Sequence, residues 1–158
     1  MRYSYKKALN ELTEYAFTEG FIEVDLSFSG VSQVVNNHLQ PYWTPTRLRI
    51  EGKYNYEHQV YLFLHELGHH ELRKDPEYFA QHFPVLYKAE DHLSKTYSRN
   101  YRRRKSYFIE SYREEFTAWD EGLILAEHFG IPINVERWNK LRVECLLAYM
   151  RYYSKLKN

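Results

Sequence analysis

The residues of this chain that are best suited to chemistry form one short motif, His65-Glu66-Leu67-Gly68-His69, with the pattern H-E-x-x-H. Residues four apart on a helix share a face, so the imidazoles of His65 and His69 can bind one Zn²⁺. Glu66 lies about 100° further round the helix and can reach a metal-bound water instead of the metal. The motif therefore predicts a zinc site in which Glu66 is the general base. The alternative is a helix that carries two surface histidines and a coincidental glutamate.

A catalytic zinc site has three protein ligands and one open position, so another segment must supply the third ligand. In the helix predicted over residues 107–129, Glu115 shares a face with apolar residues such as Trp119 and Ala126. Glu114 aligns instead with a mostly polar face. A carboxylate on a buried stripe costs free energy unless a cation compensates it. This cost favours Glu115 as the third ligand and leaves Glu114 as the alternative.

The sequence leaves alternatives to this ligand set open. Glu115 could instead pair with an arginine, such as Arg113 or Arg142. The extended motif H-E-x-x-H-x-x-G-x-x-H is absent, because Leu72 and Asp75 stand where it needs Gly and His. The remaining downstream groups that could bind a metal are His82, His92, Glu110, Asp120, Glu121 and His128.

The composition of the chain narrows the class of protein. With 158 residues the chain can bury a substantial core, and we expect one domain over residues 1–158. A net charge of +1 does not suit a protein built to bind polyanions with its whole surface. The single cysteine, Cys145, excludes an internal disulfide framework and a cysteine-based zinc site, and it is typical of a reducing compartment. No membrane span or secretory signal is visible, so we expect a soluble, cytoplasmic protein that does not bind membranes.

Hydrophobic periodicity predicts a mainly helical α+β domain. Helical spacing is found at about residues 4–19, 55–72, 84–96, 107–129 and 134–157, and period-two alternation is found at residues 21–28 and 46–51. Two or three strands followed by the motif helix predict a small antiparallel sheet packed on that helix. Ser4 and Asn134 are expected to cap the first and last helices. Gly68 costs about 1 kcal/mol in a helix interior, so it indicates either close packing near the metal or a weak spot near the helix end.

A basic run flanked by tyrosines lies between the two predicted metal-binding segments. It contains Arg99, Arg102, Arg103, Arg104 and Lys105. Such a run can contact nucleic-acid phosphates, although runs of this kind are more often solvated loops. A weak nucleic-acid contact is therefore a secondary hypothesis.

The order of these segments resembles the ImmA/IrrE-like zinc metallopeptidases, a gluzincin-type family frequent in phages and mobile elements. The resemblance covers roughly residues 46–130, and its segments are Leu64-His65-Glu66-Leu67-Gly68-His69 and Glu115-Phe116-Thr117-Ala118-Trp119. The second segment has the family's E-x-x-A pattern, but Trp119 stands where the family usually has Asn or Asp, as expected of a divergent phage-type member. The resemblance implies a zincin-like fold, with His65, His69 and Glu115 as Zn²⁺ ligands and Glu66 as the general base. Family members cleave or regulate repressor proteins, often beside a helix-turn-helix domain, and no such domain is visible here.

The function predicted from these observations is zinc-dependent hydrolysis of a protein or peptide. Glu66 would take a proton from the zinc-bound water and pass it to the leaving amine. Residues 46–51 could hold the substrate as an added strand, and Tyr54, Tyr56 or His58 could stabilise the oxyanion. The alternative is a phage-type effector or interaction protein that binds zinc without turnover, with the basic run as a contact for nucleic acid.

Overall fold

Six helices and three strands make up the described part of the chain, which in this computed structural model comprises residues 2–37, 39–40, 42–90 and 104–156. The helices are α1 (Tyr5–Thr18), α2 (Tyr56–Arg73), α3 (Pro76–His82), α4 (Pro84–Ala89), α5 (Lys105–His128) and α6 (Val135–Leu156). The strands are β1 (Glu23–Phe28), β2 (Gln33–Asn36) and β3 (Pro45–Glu51). The protein is therefore α+β and mostly helical, which confirms the predicted class.

The three strands form one mixed sheet in the order β1-β3-β2. β3 is parallel to β1, with Leu48 opposite Val24, and antiparallel to β2, with Leu48 opposite Val34. The prediction of an antiparallel sheet is therefore wrong for one of the two strand pairs. The reason is topological, since β2 reverses the chain and β3 then inserts between β1 and β2. Period-two alternation identifies a strand, but it does not say which strands pair.

The main core is built around α2. Every residue from Gln59 to Gly68 is buried, because α1, the sheet, α5 and α6 all pack against this helix. Leu12 of α1, Ile50 of β3 and Trp138 of α6 belong to the same cluster. The histidine motif therefore lies in the most enclosed helix of the described chain, where its side chains have little freedom to move.

The helices α2 and α5 cross with their backbones in contact at Gly68. A Cβ atom built on Gly68 would lie 2.0 Å from the carbonyl oxygen of Ala118, so no larger residue fits unless the helices separate. Of the two interpretations of Gly68, close packing is thus the correct one. At this crossing, the turn of α5 that carries Glu114 and Glu115 packs against the turns of α2 that carry His65 and His69.

A second hydrophobic cluster lies beside the main core. It is formed by Leu72 of α2, Phe79 of α3, Leu86 of α4 and Ala118 of α5, together with Phe83, which lies between α3 and α4. Helical periodicity does not predict α3, because Pro76 indicates the end of α2. The same proline begins α3, and Asp75 caps this helix by accepting a hydrogen bond of 3.1 Å from the Glu77 N–H.

The other helix boundaries lie within a few residues of those predicted. α2 begins and ends one residue later than expected, and α5 begins two residues earlier, at Lys105. Ser4 and Asn134 cap α1 and α6 as predicted. The helix predicted over residues 84–96 is α4 as far as Ala89, and residues 91–96 lie outside the described chain.

No helix in the described ranges has the length and apolar character needed to cross a membrane.

Candidate metal site

The two motif histidines and Glu115 meet where α2 and α5 cross. His65 Nε2 lies 3.1 Å from Glu115 Oε2, and His69 Nε2 lies 3.3 Å from Glu115 Oε1. The ligand atoms of these three residues all lie within 4.8 Å of one another. The structure thus brings together the three side chains that the sequence predicts as ligands.

The geometry of this cluster fits a zinc ion. Zn²⁺ binds imidazole nitrogen and carboxylate oxygen at about 2.0–2.2 Å, so tetrahedral ligand atoms are about 3.3 Å apart. The two nitrogen–oxygen distances in the cluster are of this size, at 3.1 Å to Oε2 and 3.3 Å to Oε1 of Glu115, and the ligand atoms all lie within 4.8 Å of one another. Two nitrogens and one oxygen form a donor set typical of catalytic zinc, with one position left for water or substrate. The residues present therefore suit the metal that the motif predicts.

Glu114 does not point at this cluster but holds His69 from the other side. Its Oε1 lies 3.2 Å from His69 Nδ1, so it can accept the Nδ1 proton and leave Nε2 free for a metal. Arg73 fixes the carboxylate with bonds of 2.6 Å from Nε and 2.8 Å from Nη2. Arg73 in turn pairs with Glu90, which directly follows α4. This chain of contacts fixes the orientation of the His69 ring and favours a proton on Nδ1 when Nε2 binds a metal.

The expectation that Glu114 lies on the wetter face of α5 is wrong. The side chain of Glu114 is 6% exposed and that of Glu115 is 23% exposed. α5 is covered on several sides, by α2, α4 and α6, and Arg73 compensates the buried charge of Glu114. Helical periodicity identifies the most apolar face of a helix as its buried face. It fails for α5, because this helix is buried on more than one face.

His65 is held by packing. Its ring stacks on the indole of Trp119, with centroids 4.2 Å apart and an interplanar angle of 13°. Its Nδ1 is buried and makes no hydrogen bond within the described chain. Trp119 is fully buried and contacts Trp138 edge-on at 5.0 Å. Trp119 thus serves as a rigid support for the imidazole of His65.

The charges of the cluster determine one another's protonation. Burial by itself would lower the pKa of His69, but Glu115 and Glu114 outweigh it and raise that pKa well above 6.5. Burial would raise the pKa of Glu115, but His69 and His65 hold it well below 4.5. A divalent cation between these atoms would take the place of the shared proton. The pKa of Glu66 is raised, mainly by burial, which suits a group that must accept a proton near neutral pH.

A cleft with a volume of about 380 Å³ opens beside the cluster. Glu66, His69 and Glu115 line it, together with residues of β2, α4 and α6. β2 is the edge of the sheet, and β3 is central because both of its sides are paired. The prediction that residues 46–51 receive the substrate as an added strand is therefore wrong, and the strand beside the cleft is β2.

Three aromatic residues that line the cleft, Trp43, Tyr107 and Tyr149, were not predicted as site residues. Trp43 lines the cleft, donates from Nε1 to His70 Nδ1 at 3.0 Å, and covers the guanidinium of Arg73 at 5.2 Å. His70 is thus a buried partner of Trp43 and does not belong to the cluster of His65, His69 and Glu115. Tyr149 of α6 also lines the cleft. Helical spacing from Trp138, Leu141 and Cys145 places Tyr149 on the inner face of α6. The spacing does not say which element that face meets.

The residues suggested for the oxyanion lie elsewhere. Tyr54 and His58 stack on each other with centroids 3.7 Å apart, and Tyr56 is exposed. His58 lines a separate cavity with Tyr61 and Arg137. None of the three lines the cleft of the histidine cluster.

The other groups weighed as ligands or partners have different contacts. Arg142 pairs with Asp120 at 3.2 Å and lies over the ring of Phe116 at 3.8 Å, while Arg113 lies over Phe83. Glu110 accepts a hydrogen bond from the backbone of Leu86, which caps α4. His82 stacks on Tyr78, His128 lies beside Phe129, and His92 falls outside the described residues.

Little of the basic run can be placed. Arg99, Arg102 and Arg103 lie outside the described residues, while Arg104 immediately precedes α5 and Lys105 is its first residue. The hypothesis of a nucleic-acid contact therefore stays a prediction.

Comparison of the chain with protein-family models, with curated proteins and with solved structures found no match.

Proposed function

We propose that this protein is a zinc-dependent peptidase with a zincin-like domain, as its resemblance to the ImmA/IrrE-like metallopeptidases implies. The observation that carries the proposal is the convergence of His65 Nε2 and His69 Nε2 on the carboxylate of Glu115. Glu66 lies on the same helix and lines the adjoining cleft. A cluster of ion pairs with a purely structural role would need neither the cleft nor the carboxylate of Glu66 that lines it.

Each residue of the cluster has a separate role. His65, His69 and Glu115 would hold Zn²⁺, which supplies a water of pKa near 7 and polarises a carbonyl group. Glu66 accepts a proton from the attacking water and delivers it to the nitrogen of the leaving amine. Its buried position favours the neutral form after the transfer, so Glu66 holds the proton until it passes to the leaving nitrogen. Glu114 and Arg73 keep His69 in the tautomer that leaves Nε2 unprotonated.

The proposed substrate is an extended segment of protein or peptide. β2 offers backbone groups along an edge of the sheet, and this edge lies in the wall of the cleft. An extended chain can pair with such an edge by main-chain hydrogen bonds and place one peptide bond at the metal. A groove of this kind suits a flexible segment better than a folded surface.

The proposal is tested by replacing the base while keeping the ligands. The Glu66→Gln variant is expected to bind zinc in a ratio near one, as measured by elemental analysis. It is expected to lose peptide cleavage by about 10²- to 10⁴-fold, because general-base catalysis contributes that much. The matched control is Glu136→Gln, which removes an exposed carboxylate of α6 and should leave both properties unchanged.

The readout is cleavage of a peptide library by zinc-loaded protein, followed by mass spectrometry. Undiminished cleavage by Glu66→Gln would exclude Glu66 as the base. Zinc binding without cleavage of any library member would favour the alternative of an effector that keeps the scaffold without turnover. Absence of zinc from wild-type protein purified with added zinc would overturn the metal site itself.

A further inference from the structure

Three hydroxyl groups lie together where α5 and α6 form one end of the cleft. The hydroxyl of Tyr149 donates to that of Tyr153 at 3.3 Å, and the hydroxyl of Tyr153 donates to Ser111 Oγ at 3.4 Å. Ser111 also acts on Tyr149 by lowering its pKa, and we call the three hydroxyls the ring. Tyr149 and Ser111 line the cleft, whereas Tyr153 is 9% exposed and packs behind them against Phe108. Tyr149 is thus the tyrosine of this ring that faces the cleft.

The ring lies close to the histidine cluster. Ser111 precedes Glu115 by four residues on α5, and residues at this spacing have Cβ atoms about 5–6 Å apart on one face. Tyr149 is linked through the hydroxyl of Tyr153 to Ser111, which stands one helical turn before the proposed third ligand. It lines the same cleft as Glu66.

The geometry of the ring leaves the proton of Tyr149 available to a ligand. Hydroxyl hydrogen bonds are normally 2.5–3.0 Å long, so the bonds of 3.3 and 3.4 Å are weak. Tyr149 can therefore turn its O–H from Tyr153 to another oxygen at small cost. Burial raises the pKa of Tyr149 above its usual value, so the group stays protonated and acts as a donor.

We propose that Tyr149 donates a hydrogen bond to the carbonyl oxygen of the scissile peptide. When water adds to the carbonyl carbon, a carbon–oxygen bond forms and the π electrons move to the carbonyl oxygen, while Glu66 takes the proton of the water. Tyr149 keeps its own proton and stabilises the negative charge that develops on the oxygen. This inference rests on the proposed function, because the metal site determines where the carbonyl binds.

The test compares Tyr149→Phe with Tyr153→Phe in zinc-loaded full-length protein. Each variant removes one hydroxyl of the ring and keeps the aromatic packing, but only Tyr149 lines the cleft. Tyr149→Phe is expected to lower kcat for a cleaved library peptide by about 100-fold with little change in KM, since one oxyanion donor contributes that much. Tyr153→Phe is expected to retain kcat within a factor of about three. Tyr149 must give up its hydrogen bond to Tyr153 before it can donate to the substrate, so loss of that acceptor has little effect.

A second readout does not depend on turnover. Acetohydroxamate binds zinc through two oxygens and can be titrated into the cobalt-substituted protein by its visible spectrum. Tyr149→Phe should weaken this binding by about tenfold, which corresponds to one hydrogen bond, and Tyr153→Phe should not. Melting temperatures of both variants show whether either change is only structural.

The outcomes separate this inference from the proposed function. Equal hydroxamate binding by Tyr149→Phe and wild type, with metal bound, would overturn the role of Tyr149 and leave the metal site intact. An equal loss in both variants would also overturn it, because the ring would then act only as a structural unit. If the wild-type protein binds no metal, the proposed function fails and this inference fails with it.

Discussion

Adjacent glutamates on α5 have different tasks at the scale of single residues. Glu115 faces the Nε2 atoms of both motif histidines, while Glu114 accepts from the opposite nitrogen of His69 and is fixed by Arg73. Neighbouring residues on a helix point about 100° apart, so one turn of α5 contacts His69 on both sides. The contribution of Glu114 to the site should therefore be measurable as a change in metal affinity.

The Glu114→Gln variant is expected to weaken zinc binding by about 10- to 100-fold, as measured by competition with a chromophoric chelator. The amide keeps the shape of the side chain, but it attracts the Nδ1 proton of His69 less strongly and leaves Arg73 undercompensated. Glu127→Gln, an exposed carboxylate on the same helix, is the matched control and should bind zinc like the wild type. An unchanged zinc affinity in Glu114→Gln would show that this carboxylate does not tune the site.

At the scale of elements, the site depends on how closely α2 and α5 approach. The candidate ligands come from both helices, and Gly68 and Gly122 are the positions where each helix meets the backbone of the other. A Cβ atom at Gly68 would overlap the carbonyl of Ala118 at 2.0 Å, whereas one at Gly122 would lie 3.0 Å from the carbonyl of Leu64. A side chain therefore has less space at Gly68 than at Gly122.

These distances predict an order of effects for two alanine variants. Alanine normally stabilises a helix by about 1 kcal/mol over glycine, but Gly68→Ala is expected to lower the free energy of unfolding by about 2–3 kcal/mol because the helices must separate. Gly122→Ala, the matched comparison, should be close to neutral because a shift of a few tenths of an ångström accommodates it. Urea denaturation with and without zinc measures both effects. A Gly68→Ala protein as stable as the wild type would contradict the close crossing.

At the scale of the whole molecule, the cleft draws its walls from both hydrophobic clusters. β2 and α6 pack on the main core, and α4 belongs to the second cluster, which also supports Arg73 through Phe79. The net charge of +1 gives no general attraction to polyanions, so any nucleic-acid contact must come from a local patch. The basic run between the two metal-binding segments is the strongest such patch in the sequence.

Replacement of Arg102, Arg103 and Arg104 by glutamine tests this patch. If the run contacts phosphate, the variant should lose a salt-dependent gel shift with a DNA or RNA duplex, and the salt slope should fall by about 0.9 for each contact removed. Glutamine at Arg2, Lys6 and Lys7 removes the same charge from another exposed surface and controls for net charge. An equal effect of both sets would indicate a general charge effect, and unchanged binding by the first set would remove the hypothesis.

The sequence by itself determined which residues of the motif could bind a metal and where most of the helices lie. His65, Glu66 and His69 lie within about one helical turn, so their relation follows from helix geometry alone. Caps such as Ser4 and Asn134 are local signals for the same reason, because they involve backbone groups within three residues. The α+β class follows from the two periodicities.

Only the tertiary structure decided which elements meet. Strand pairing, the central position of β3 and the edge position of β2 depend on contacts between distant segments, which alternation does not encode. Glu114 is buried because Arg73 compensates its charge across 41 residues of sequence, and Tyr149 reaches the cleft because α6 packs beside α5. Periodicity identifies the face that a helix buries, while packing decides what that face touches.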